Sequence, residues 1–143
     1  MITVDLARRL RAAGLRWHPS SGDRFVIETP GFDGETFIVS DMTIEAHEYP
    51  TGTVLGFNGT TEWALDSVDA EDSLWLPRED QLRELLGPVF RGLTRHDDGG
   101  ELAYEVATRA VGADTAVLHR ASDAEDAYAH ALLAYIDASL RLD

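Results

Sequence analysis

The run from Trp75 to Gly87, WLPREDQLRELLG, carries a helix start, a helix body and a helix stop within one stretch. Proline lacks the N–H that a first helical residue has no use for, so Pro77 is expected at that first position. Glu79 and Asp80 place negative charge against the positive end of the helix dipole. Leu82, Leu85, Leu86, Val89 and Phe90 would prolong one apolar face at helical spacing, but Gly87 and Pro88 interrupt it after Leu86. A short helix followed by a strand is the expected outcome.

Two further helices frame the chain. Thr3 or Asp5 is placed to cap one in which Leu6, Leu10 and Ala13 share a face, with Gly14 as its stop. At the other end Ser122 and Glu125 have capping-box spacing, and Ala124, Tyr128, Ala131, Leu132, Tyr135, Ile136 and Leu140 sustain an apolar stripe.

Strands are expected at Leu15 to His18, Arg24 to Glu28, Thr36 to Ser40 and Thr43 to Tyr49, separated by Gly/Pro/Ser-rich turns. Asn58-Gly59 is the strongest hairpin signal, because both central residues of a type I′ turn need positive φ. It places Val54 to Phe57 and Glu62 to Val68 as strands. After the central helix, Val89 to Arg95, Leu102 to Ala110 and Thr115 to Ala121 read as a meander with turns at Asp97-Asp98-Gly99-Gly100 and Gly112-Ala113-Asp114.

The expected class is α+β: antiparallel meanders packed with three principal helices, near the N-terminus, after Pro77 and at the C-terminus. One domain spanning residues 1–143 is expected, with subdomains at 1–73 and 74–143. The order helix, strand, Gly-rich turn, strand occurs after Asp5 and again after Asp80, which an internal duplication would explain.

Composition removes whole classes of chemistry. The absence of Cys excludes thiol nucleophiles, disulfides and Cys-ligated metal centres. All 12 basic residues are Arg, so a phosphate-loop lysine and a Schiff-base lysine are excluded as well. Twelve basic against 26 acidic residues give a net charge of −14, unevenly spread: residues 1–24 are net +3, and residues 25–77 hold eleven acidic residues and no Arg. Such a balance repels phosphate backbones, so nucleic acid is not an expected partner. No apolar run approaches the length of a membrane span and no signal peptide stands at the start, so no membrane partner and a cytoplasmic location are expected.

Candidate chemistry is sparse. The five histidines, at positions 18, 47, 96, 119 and 130, lack the spacing of a zinc motif. The nearest ligand cluster is Glu45 and His47, alternate residues of a strand, with Asp41 close by, a set suited to a divalent ion. Asp126 and His130 stand one helical turn apart, where an acid can orient a base. No Gly-x-Ser-x-Gly elbow is present, and the glycines of Gly52 to Gly59 do not follow a dinucleotide fingerprint. No catalytic residue, metal or cofactor is therefore assigned. Trp75, Trp63 and Trp17 each border an expected element and are the candidate interaction residues, with Trp75 first because it stands between the acidic stretch and the helix start.

The span from Phe57 to Leu86, with FNGTTEWALDSV and LWLPREDQLRELL, resembles a group of short actinobacterial proteins often labelled pilus-assembly proteins. The ATPases that share this label use a phosphate loop, which this lysine-free chain lacks. Trp75, Pro77, Gln81 and Leu82, with the closing SDAEDAYAHALL from Ser122 to Leu133, resemble small phage-type α/β sandwich domains of unknown function. That resemblance implies a sheet packed against a first and a last helix, and neither group supplies a catalytic residue.

The expected function is a non-catalytic cytoplasmic interaction or adaptor protein, of phage or mobile-element type, with a protein partner or a second copy of itself. One alternative is a small metal-assisted hydrolase using Asp41, Glu45 and His47. The other is an acidic inhibitor or nucleic-acid mimic presenting the Arg-free middle to a basic protein.

Overall fold

A computed structural model describes residues 1–32, 34–39, 44–49, 52–57, 67–69 and 72–141. Helix α1 spans Val4–Ala12, its N-cap Thr3 accepting at Oγ1 from Leu6 N, and it buries Leu6, Ala7 and Leu10. Gly14 follows at φ 112°, a left-handed conformation that ends the helix.

Strand β1 (Arg24–Ile27) is the middle of a three-stranded antiparallel sheet, between β2 (Thr36–Ile38) and β6 (Ser73–Leu76). Its two neighbours explain one departure from expectation: Leu15 to His18 form no strand, because both ladder edges of β1 are occupied. The segment is held by side chains instead. Trp17 Nε1 donates to Asp23 Oδ2 at 2.9 Å and Ser20 N donates to the same oxygen at 3.0 Å. The proposed duplication thus finds its helix and its second strand in the first half, but not its first strand.

Strand β6 was not expected at all. Ser73, Leu74 and Leu76 are buried and Trp75 is half-buried, so the strand has no clean period-two alternation to reveal it. Phe25 lies opposite both Phe37 and Trp75. Phe25, Ile27 and Val39 make a buried cluster, with Trp17, Phe32 and Phe37 packed on it. Trp17 and Phe25 ring centroids are 5.3 Å apart, and those of Phe25 and Phe37 are 5.6 Å apart.

A second sheet joins β3 (Ile44–Tyr49), β4 (Gly52–Phe57) and β5 (Ser67–Asp69) in antiparallel order β3-β4-β5, with Tyr49 opposite Gly52. The Asn58-Gly59 turn and most of the Glu62 to Val68 strand lie outside the described residues.

Helix α2 spans Glu79–Leu86 and buries Leu82 and Leu86. Its N-cap is Arg78, whose N–H donates to Gln81 Oε1 at 2.9 Å, so Pro77 precedes the cap and is not the first helical residue. Proline, having no N–H, cannot make that bond, and the cap falls one residue later. A single 3₁₀ turn, Gly87–Val89, then delivers the chain to a meander of β7 (Phe90–Asp98), β8 (Glu101–Thr108) and β9 (Val117–Ala121). Gly99 and Gly100, at φ 65° and 91°, supply the two positive-φ residues that the β7–β8 hairpin needs.

Helix α3 (Ala124–Arg141) packs against α1, α2, β8 and β9. Its start differs from the Ser122–Glu125 capping box. Asp123 Oδ1 accepts from Glu125 N at 2.9 Å, while the Glu125 carboxylate accepts from Ile2 N at 3.1 Å. Of the apolar stripe, Tyr128, Ala131 and Leu132 are buried, with Ala127 and Ala129 buried beside them, whereas Tyr135 and Leu140 are exposed.

The class is α+β. The chain divides into two units: Met1–Leu15 with Pro77–Asp143, and Arg16–Leu76. The first helix therefore belongs with the C-terminal elements. Among the described residues no helix is long and apolar enough to cross a membrane.

Candidate functional site

Antiparallel register decides which side of β9 faces α3. His119 lies directly opposite Val106 of β8, and Val106 is fully buried, so His119 stands on the covered face of the meander. There it meets His130, close enough that the two imidazoles repel one another when charged. Burial lowers the pKa of His119, and the neighbouring His130 lowers it further, so His119 favours its neutral form.

These histidines line a groove of about 560 Å³. Helix α1 contributes Arg9 and Ala13, one turn apart on one face. From α3 come Asp137 and an aliphatic wall of Leu133, Ile136 and Leu140. Among the described residues Arg9 forms no ion pair. One guanidinium, two imidazoles and one carboxylate thus line the groove beside an apolar wall.

The groove was not visible in the sequence. Arg9 comes from α1, far in sequence from the adjacent β9 and α3 that supply His119, His130 and Asp137, and no motif spacing joins them. His130 was paired in expectation with Asp126. Asp126 is instead buried and accepts from Thr3 N at 2.8 Å, fixing the cap residue of α1 to the first turn of α3.

The candidate metal ligands Glu45 and His47 are alternate residues of β3, opposite Gly56 and Val54, and Asp41 lies outside the described residues. No group of three or more His, Asp or Glu able to hold a metal ion occurs among the described residues.

The three tryptophans have different fates. Trp63 lies outside the described residues. Trp17 is committed to Asp23 and to Phe25. Trp75 is half-buried on β6, and its Nε1 is buried with no hydrogen-bond partner among the described residues. An orphaned donor costs free energy, so Trp75→Phe removes apolar area and an unsatisfied group together. Its expected effect on unfolding free energy is below ~1 kcal/mol, while Trp17→Phe, which strips a donor from buried Asp23, costs about 1–3 kcal/mol. Urea titration of the two variants checks this, and equal losses would refute the assignment.

Comparison with known proteins returned no match: no family model, no curated protein and no solved structure is similar to this chain.

Proposed function

We propose that this chain is a non-catalytic interaction protein that acts in the cytoplasm and receives an extended segment of a partner protein along the free edge of β9. The observation that carries this reading is the edge itself. β9 ends the order β7-β8-β9, and its Val117 and Leu118 are 56% and 58% exposed on successive positions. Successive strand residues point to opposite faces, so apolar surface is offered on both sides of a backbone edge that no strand among the described residues pairs. Natural proteins usually blunt such an edge, and adding a strand is a common mode of peptide recognition. The charge balance of −14 supports a protein partner over a nucleic acid.

A photo-crosslinking side chain placed at Val117 or Leu118 in cells is expected to trap one discrete product. The same group at Val111, 90% exposed but in the β8–β9 connection and not on a strand, is expected to trap none. A product with the mass of two chains identifies a second copy as the partner. Equal trapping at Val111, or no product at the strand positions, refutes the reading.

A further inference from the structure

The groove between α1, β9 and α3 is chemically more particular than an apolar surface. In a chain of net charge −14 it gathers Arg9, His119 and His130 from three separate elements. A guanidinium offers a planar fork of donors matched to a carboxylate, and two imidazoles add donors on further sides. Leu133, Ile136 and Leu140 continue the same lining as a hydrocarbon wall. Asp137 is the one carboxylate in that lining.

We propose that this groove binds a small aliphatic monocarboxylate, its carboxylate held by Arg9, His119 and His130 and its hydrocarbon body lying on Leu133, Ile136 and Leu140. Asp137 repels a second negative charge, so a dianion such as inorganic phosphate is disfavoured. The proposal does not rest on a partner strand at the β9 edge, although His119 belongs to that same strand.

Protons are linked to the binding. The groups facing His119 in the groove are Arg9 from α1 and His130 and Asp137 from α3. Burial and His130 hold the free His119 pKa low, and a bound carboxylate raises it. Binding therefore takes up a proton, and affinity rises as pH falls through the pKa of the bound state.

Octanoate serves as the probe, with octylamine, acetate and inorganic phosphate as controls, followed by NMR chemical-shift titration of the whole chain. Octanoate is expected to give saturable shifts centred on His119, His130 and the α3 wall, at least about tenfold tighter than each control, since every tenfold requires only 1.4 kcal/mol of selective contact. Arg9→Gln, a substitution at an exposed position, is expected to weaken octanoate about tenfold by removing the charge-assisted fork. Asp137→Asn is expected to tighten octanoate and to admit phosphate, an opposite sign that a merely structural role would not produce. Affinity near pH 6 is expected to exceed that near pH 8 by at least about threefold. Equal binding of octylamine would reduce the groove to an apolar surface, equal binding of phosphate would make it a general anion site, and no saturable shift at millimolar octanoate would remove it. Each of those results overturns the proposal.

Discussion

Tyr128→Ala is expected to cost about 3–5 kcal/mol of unfolding free energy, the range for deleting a large buried aromatic. Tyr128 is fully buried near the start of α3 and stacks on Phe90 at 5.5 Å between ring centroids, with the planes 26° apart. Its hydroxyl accepts from Arg83 Nη1 at 3.3 Å, so a single side chain ties α3 to β7 through its ring and to α2 through its tip. Burial raises its phenol pKa, with Arg83 acting in the opposite direction, so the hydroxyl is neutral throughout the ordinary pH range. Tyr128→Phe keeps the stack and loses only the tip, and it is expected to cost about 1 kcal/mol. Denaturant unfolding, with hydrogen exchange of the β7 and β8 amides, reads both variants. A loss under about 1.5 kcal/mol for the alanine variant would mean that the site collapses around the cavity, and α3 would no longer be the centre of its unit.

Asp23→Ala is expected to cost about 2–4 kcal/mol, because it leaves two donors without an acceptor in a buried place. Asp23 is 2% exposed and one of its oxygens, Oδ2, receives both Trp17 Nε1 and Ser20 N. Its backbone is equally committed: Val39 N donates to Asp23 O at 2.9 Å, and Gly22 N donates to Val39 O at 2.7 Å. The side chain thus shapes the Trp17 to Asp23 loop while the main chain seats that loop on the segment after β2. Asp23→Asn retains an acceptor oxygen and is expected to lose less than half as much. Trp17 emission reports the same event locally, shifting to the red in the alanine variant and holding in the asparagine variant. Equal losses in both would show that the negative charge matters and the geometry does not.

Much of the architecture was legible because its signals are local. Pro88 and Gly87 stop α2 where their backbone restrictions require, Gly14 ends α1, and Gly99-Gly100 turns β7 into β8. The rest depends on partners that no window of sequence contains. β6 was hidden because the burial of Ser73 to Leu76 does not alternate cleanly, and Leu15 to His18 was misread because its apolar alternation is satisfied by ring packing and a carboxylate rather than by a ladder. The cap of α2 falls at Arg78 rather than ahead of Pro77, because Arg78 N can donate to Gln81 Oε1, and α3 starts from Asp123 while the Glu125 carboxylate accepts from Ile2 N. The groove shows the strongest form of this limit: Arg9, His119 and His130 acquire a joint meaning only when α1, β9 and α3 are packed together.

The discontinuous composition of one unit carries a consequence for how the chain is made. Residues 16–76 form a contiguous unit whose strands are all present once Leu76 has been synthesised, so it can close while translation continues. The other unit joins α1 to α3, with Asp126 the acceptor for Thr3 N across a separation of 123 residues. Until α3 emerges, Leu6 and Leu10 have no α3 to pack against, and α1 waits as an amphipathic segment with its apolar side uncovered. The α1–α3 contact is thus one of long sequence separation, formed only after both helices have been made.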